Sequence, residues 1–111
     1  MANNKPTRKY FPRQHKPQWK TSCVYVVTCR EFDGLYKVGK AYDLDLRLRS
    51  LQIALPYLLV VEYVIPAINP IKVEAKLHKF LRDYQVRGEW YKIGSKMLAT
   101  IKMRCWTDSW F

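Results

Sequence analysis

Tyr25, Lys37, Arg47, Glu74 and His78 are the residues whose types and spacing could carry chemistry. Arg47 offers a permanent cation with a forked donor set that matches phosphate oxygens. Tyr25 has an ordinary phenol pKa of about 10, so nearby positive charge must lower it before it can take a proton at neutral pH. Lys37 could supply that charge and hold phosphate. Partly desolvated, it could itself serve as a general base. Glu74 and His78 are four residues apart, one above the other on a helix face. A carboxylate beside an imidazole could hold a divalent ion, or simply pair and be solvated, and spacing alone favours the second. Phosphodiester hydrolysis needs an aligned water, charge neutralisation at phosphorus and a stabilised leaving oxygen. This set of side chains could provide them.

Three elements must position the first group. Val24, Tyr25, Val26, Val27 and Thr28 are β-branched or aromatic and predict a strand. Glu31-Phe32-Asp33-Gly34 is a turn signal, and Leu35 to Val38 reads as the return strand, closed by Gly39. A tight two-residue turn at Asp33-Gly34 would pair Arg30 with Lys37 and turn Tyr25 away from Lys37. A shared face therefore predicts a longer loop or a bulge at Gly34. Asp43 is placed to cap a helix over about 44–52, with Leu44, Leu48 and Leu51 on its apolar face and Arg47 near its start. Arg49 is expected to be exposed.

Tyr57 to Val64 predicts a third strand, and its lack of clean alternation suggests a central strand covered on both faces. A loop through Pro66 and Pro70 leads to a second helix over about 71–84, with Val73, Leu77, Phe80, Leu81 and Tyr84 as its apolar stripe. Arg82 continues the ridge of Glu74 and His78. Gly88 to Ile93 reads as a turn and a short extended segment, with Trp90 in the core; Glu89 could assist the site, cap a chain end or pair with a basic residue, and a structural role is favoured. Ser95 is expected to cap a last helix bearing Met97, Leu98, Ile101 and Cys105. Trp106, Trp110 and Phe111 either tuck against the domain or form a homodimer or partner surface.

With 111 residues, 49% of them hydrophobic, the chain is long enough for one modest core. The net charge of +11 points to a polyanion, and nucleic acid fits better than membrane because no segment is a basic amphipathic helix. Six of the twenty basic residues and none of the nine acidic ones fall within residues 1–20. That stretch, broken by Pro6, Pro12 and Pro17, reads as a flexible basic arm preceding a domain over 21–111. Its Lys16 and Lys20, with Lys40, Arg49 and Arg82, are the expected phosphate contacts. Cys23 and Cys29 would lie about 20 Å apart along one strand, beyond disulfide reach. Three scattered thiols and no visible signal peptide suggest an intracellular, reducing setting or a virion rather than secretion.

Cys23-Val24-Tyr25 and Lys37-Val38-Gly39 resemble the paired motifs of the GIY-YIG endonuclease superfamily. Arg47 falls where that family keeps an arginine. Glu74 to Phe80 and Gly88 to Tyr91 resemble its compact phage and bacterial branch, which often carries lysine in the second motif. Cys23 stands in place of the first motif's glycine, and Leu51 where several members have His or Tyr. The resemblance spans about 23–93. It implies an α+β fold with a small three-stranded, mainly antiparallel sheet flanked by helices. It further implies metal-dependent DNA cleavage of low sequence specificity, with Tyr25, Lys37, Arg47 and Glu74 in the site; His78 is a candidate beside them, as a group supporting the metal ligand, a phosphate contact or a buried hydrogen-bonded core residue. Glu74 would hold one Mg²⁺ or Mn²⁺. The competing expectation is a non-catalytic nucleic-acid-binding module, or a viral or phage structural protein, on the same scaffold.

Overall fold

The computed structural model describes residues 22–104 and Trp106. The expected arm with Lys16 and Lys20, and Cys105, Trp110 and Phe111, lie outside the described residues.

The fold is α+β: an antiparallel sheet of five strands carrying helices on both faces. Strands β1 (Cys23–Cys29), β2 (Leu35–Ala41), β3 (Leu59–Pro66), β4 (Gln85–Arg87) and β5 (Trp90–Lys92) lie in the order β3-β1-β2-β5-β4. Helices α1 (Leu44–Ile53), α2 (Pro70–Phe80) and α3 (Ser95–Met103) connect or follow them. The sheet has two strands more than expected. Each of the extra strands, β4 and β5, is three residues long, too short for alternation to register in the sequence.

All seven residues of β1 are buried, because it separates two cores. Val24, Val26 and Val38 pack with Val73 and Leu77 of α2 and Ile101 of α3 on one face. Cys23, Tyr25, Val27 and Cys29 pack with Leu44 and Leu48 of α1 on the other. Burying each such valine or leucine is worth about 1.5–3 kcal/mol, so period-two alternation locks the register.

The β1–β2 loop spans residues 30–34 and is longer than a tight turn. The register sets Tyr25 opposite Gly39 and Val27 opposite Lys37, so Tyr25 and Lys37 share a face as expected. Gly34 takes φ +73 in this loop, and the Ile93 N–H bonds its carbonyl at 2.9 Å.

Strand β3 departs from expectation. It is an edge strand, and a bulge at Glu62 explains its pattern. Val26 pairs Tyr63, whereas Val27 pairs Val61, so the faces exchange across Glu62. Val61 and Val64 therefore reach one core and Tyr63 the other. The Glu62 carboxylate accepts from Lys102 Nζ at 2.7 Å.

Asp43 caps α1 as anticipated, accepting from the Leu46 N–H. Asn69 caps α2 and Pro70 begins it, a combination suited to a helix start. That helix ends at Phe80, and Arg82–Tyr84 form a separate 3₁₀ turn rather than its last turn. Ser95 does not cap α3: Gly94 occupies that position, with no side-chain cap. Trp90 is half-buried, not core. Trp106 tucks inward, its Nε1 donating to the Ile101 carbonyl at 2.9 Å, with its ring edge-on to Phe80. No helix among the described residues is long and apolar enough to cross a membrane.

Candidate functional site around the edge of β2

The site begins with an interruption in strand pairing. β5 pairs with β2 only from Leu35 to Lys37. One further bond, from the Val38 N–H to the Glu89 carbonyl at 2.9 Å, continues the ladder. Gly88, at φ +54, then turns the chain away. The remaining edge of β2 is approached by α2, whose His78 Nε2 lies 2.9 Å from the Val38 carbonyl oxygen. Groups from both faces of the sheet meet at this edge.

On the α1 face stand Tyr25, Lys37 and Arg47. Tyr25 is 1% exposed, and its ring crosses over Gly39. Arg47 is exposed on the first turns of α1, close enough to Tyr25 to favour its phenolate. Burial outweighs that influence and pushes the Tyr25 phenol well above its usual range, with Glu89 and Glu74 adding in the same direction. A base role for Tyr25 requires a lowered value; an enclosed ring beside two carboxyls gives the opposite sign. Lys37 Nζ pairs with Glu89 Oε1 at 3.0 Å and lies 5.7 Å from the centre of the Trp90 ring.

From the opposite face come Glu74 and His78 on α2, and Lys40 on β2. Glu74 is 9% exposed, and Lys40 Nζ is 3.7 Å from its Oε1. Its Oε2 is buried with no hydrogen-bond partner. Burial raises the Glu74 carboxyl above its ordinary value; Glu89 adds to the rise, while His78 and Lys40 oppose it. The His78 ring lies 5.6 Å from that of Tyr91.

Glu89, for which the sequence favours a structural role, joins the two halves. It pairs with Lys37, stands against Gly39 beside Tyr25, and shares a cluster with Glu74 and His78. Ligand atoms of these last three lie within 4.8 Å of one another. Its one sequence signal was a carboxylate directly after a turn glycine, which also fits an ordinary ion pair. An open cleft of about 640 Å³ adjoins the cluster, lined by residues that include Glu74, His78, Glu89, Lys79 and Arg82. Arg82 lines the cleft from the 3₁₀ turn rather than from the α2 ridge, and Lys79, not anticipated, lines it too. Lys40 faces Glu74, so its nearest charged partner is a protein carboxylate. Arg49 is exposed on α1, away from the cleft lining.

The residues present fit a divalent cation. A buried carboxylate oxygen without a partner, beside a second carboxylate and an imidazole, is stabilised by a positive ion. Fold and site together define a small α+β domain with a mixed-charge centre at an interrupted sheet edge. The family model of the T5orf172 domain matches residues 22–106, and the chain belongs to that family. No curated protein and no solved structure shows significant similarity to it.

Proposed function

We propose that this protein is a metal-dependent endonuclease of GIY-YIG type that hydrolyses DNA phosphodiester bonds with low intrinsic sequence specificity. The observation that carries the reading is Glu74 Oε2, buried and unbonded, next to the face that presents Tyr25, Lys37 and Arg47. Membership of the T5orf172 family supports a phage-type nuclease-like role. The charge of +11 supports a polyanionic substrate.

Arg47, exposed on α1 near Tyr25, grips non-bridging phosphate oxygens through its fork. Lys37 adds a second cation, positioned by Glu89. Tyr25 keeps its proton, because burial disfavours the phenolate, so its hydroxyl orients the attacking water by hydrogen bonding. Glu74 would hold a divalent ion, which when bound would supply charge neutralisation at the phosphate and lower the pKa of coordinated water. Lys79 and Arg82 on the cleft wall hold the flanking backbone.

The test is cleavage of supercoiled plasmid and labelled single strands with Mg²⁺, Mn²⁺ or EDTA. Wild type is run beside Glu74→Gln and Arg47→Ala. The expected result is nicking that requires metal and is lost in both variants. A folded wild type that binds DNA but cuts no substrate would replace this reading with that of a binding module.

A further inference from the structure

The three groups at the β2 edge differ in how completely the protein satisfies them. The Glu74 side chain is only 12% exposed, yet its Oε2 has no hydrogen-bond partner. His78 is already oriented. Its Nε2 is 2.9 Å from the Val38 carbonyl, which can only accept, so Nε2 carries hydrogen and the neutral ring's lone pair is on Nδ1. Metal-binding imidazoles are commonly held this way, through the nitrogen that does not bind the ion. Glu89 commits Oε1 to Lys37, leaving Oε2 for a second partner, and its side chain is 39% exposed and free to adjust.

We infer that Glu74, His78 and Glu89 together form a three-ligand centre for a first-row transition-metal dication, with one nitrogen and two oxygen donors. The inference rests on the nuclease reading only in placing a cation at Glu74. It departs from that reading in two respects: the cation has three protein ligands, and its chemistry is that of Mn²⁺ rather than Mg²⁺. Mg²⁺ favours oxygen donors and retains several waters, whereas imidazole suits transition metals. One carboxylate oxygen from each glutamate and a ring nitrogen of His78 already lie within 4.8 Å of one another. Donors on one ion sit roughly 3 Å apart, so a small inward movement of Glu89 completes the set. Glu89 then links the ion to Lys37, so the cation on the α1 face is positioned through a metal ligand.

The experiment uses the full chain and Mn²⁺ alone. The protein has two histidines, His15 and His78, so the measurement is made in a His15→Ala background. Bound Mn²⁺ is counted by electron paramagnetic resonance, and directly coordinated nitrogen is sought by electron spin-echo modulation. One ion per chain is expected, with nitrogen coupling that disappears in His78→Gln. Glu89→Gln should weaken Mn²⁺ binding by at least about tenfold, and Mg²⁺ should bind at least about tenfold more weakly than Mn²⁺. Circular dichroism of each metal-free variant checks folding, and the nitrogen coupling needs no change at the site itself. Bound Mn²⁺ without nitrogen coupling, or Mn²⁺ affinity unchanged in a folded Glu89→Gln, overturns the inference. Neither result depends on cleavage: a chain that binds Mn²⁺ through nitrogen but never cuts DNA would refute the nuclease reading alone.

Discussion

The Tyr25 hydroxyl occupies the space that a side chain at Gly39 would need. A Cβ at Gly39 would lie 2.5 Å from Tyr25 Oη, 2.7 Å from its Cζ and 3.0 Å from Glu89 Oε1. These two residues face each other across the β1–β2 register, so the glycine lets the end of the Tyr25 ring reach over the neighbouring strand. Absence of a side chain at one position thus sets where the phenol and the Glu89 carboxylate can sit.

Gly39→Ala tests that relationship. The added methyl gains up to about 1 kcal/mol by restricting the unfolded chain. Forcing a buried ring from its place costs about 1–3 kcal/mol. The clash involves a ring that is 1% exposed and packed in the core with Val27, Leu44 and Leu48, so the cost should prevail. Urea unfolding should show net destabilisation and altered near-ultraviolet circular dichroism; an alanine variant as stable as wild type would mean that Tyr25 is free to move.

The second prediction concerns pH. The Glu74 carboxyl is raised above its ordinary value of 4.5, first by burial. The folded metal-free protein therefore binds this proton more tightly than the unfolded chain. Its contribution to stability is fully present below the unfolded value and is lost as pH rises through the folded one. In EDTA, wild type should lose stability relative to Glu74→Gln across that window, and the variant should be the more stable at neutral pH. Melting temperatures of both proteins from pH 4 to pH 8 measure the difference, and parallel curves would refute it.

Lys79 and Arg82 give a third test. Both line the cleft beside Glu74 and Glu89 and are exposed. If each neutralises a phosphate, Lys79→Ala and Arg82→Ala should weaken DNA binding similarly for all sequences. Each should also reduce the slope of log affinity against log salt by about one. An unchanged slope would mean that the backbone runs elsewhere.

Much of this protein follows from local sequence. Alternating apolar residues place Val24 and Val26 on one face of β1 and Tyr25 and Val27 on the other, because transfer from water depends only on which positions are apolar. Asp43 predicts the start of α1 because a cap acts within three residues. Parity about Gly34 is enough to require a long loop if Tyr25 and Lys37 share a face. Other features depend on distant partners. The β3 bulge is invisible until Val26 and Val27 are paired with Tyr63 and Val61. Strands as short as β4 and β5 exist only because β2 offers an edge to pair with. Glu89 reads as an ordinary turn carboxylate until the sheet brings it to Lys37, 52 residues away in the chain. The direction of the Tyr25 shift was likewise decided by tertiary structure. The sequence supplies the charges near the phenol, but enclosure from water sets their balance, and enclosure is a property of packed elements.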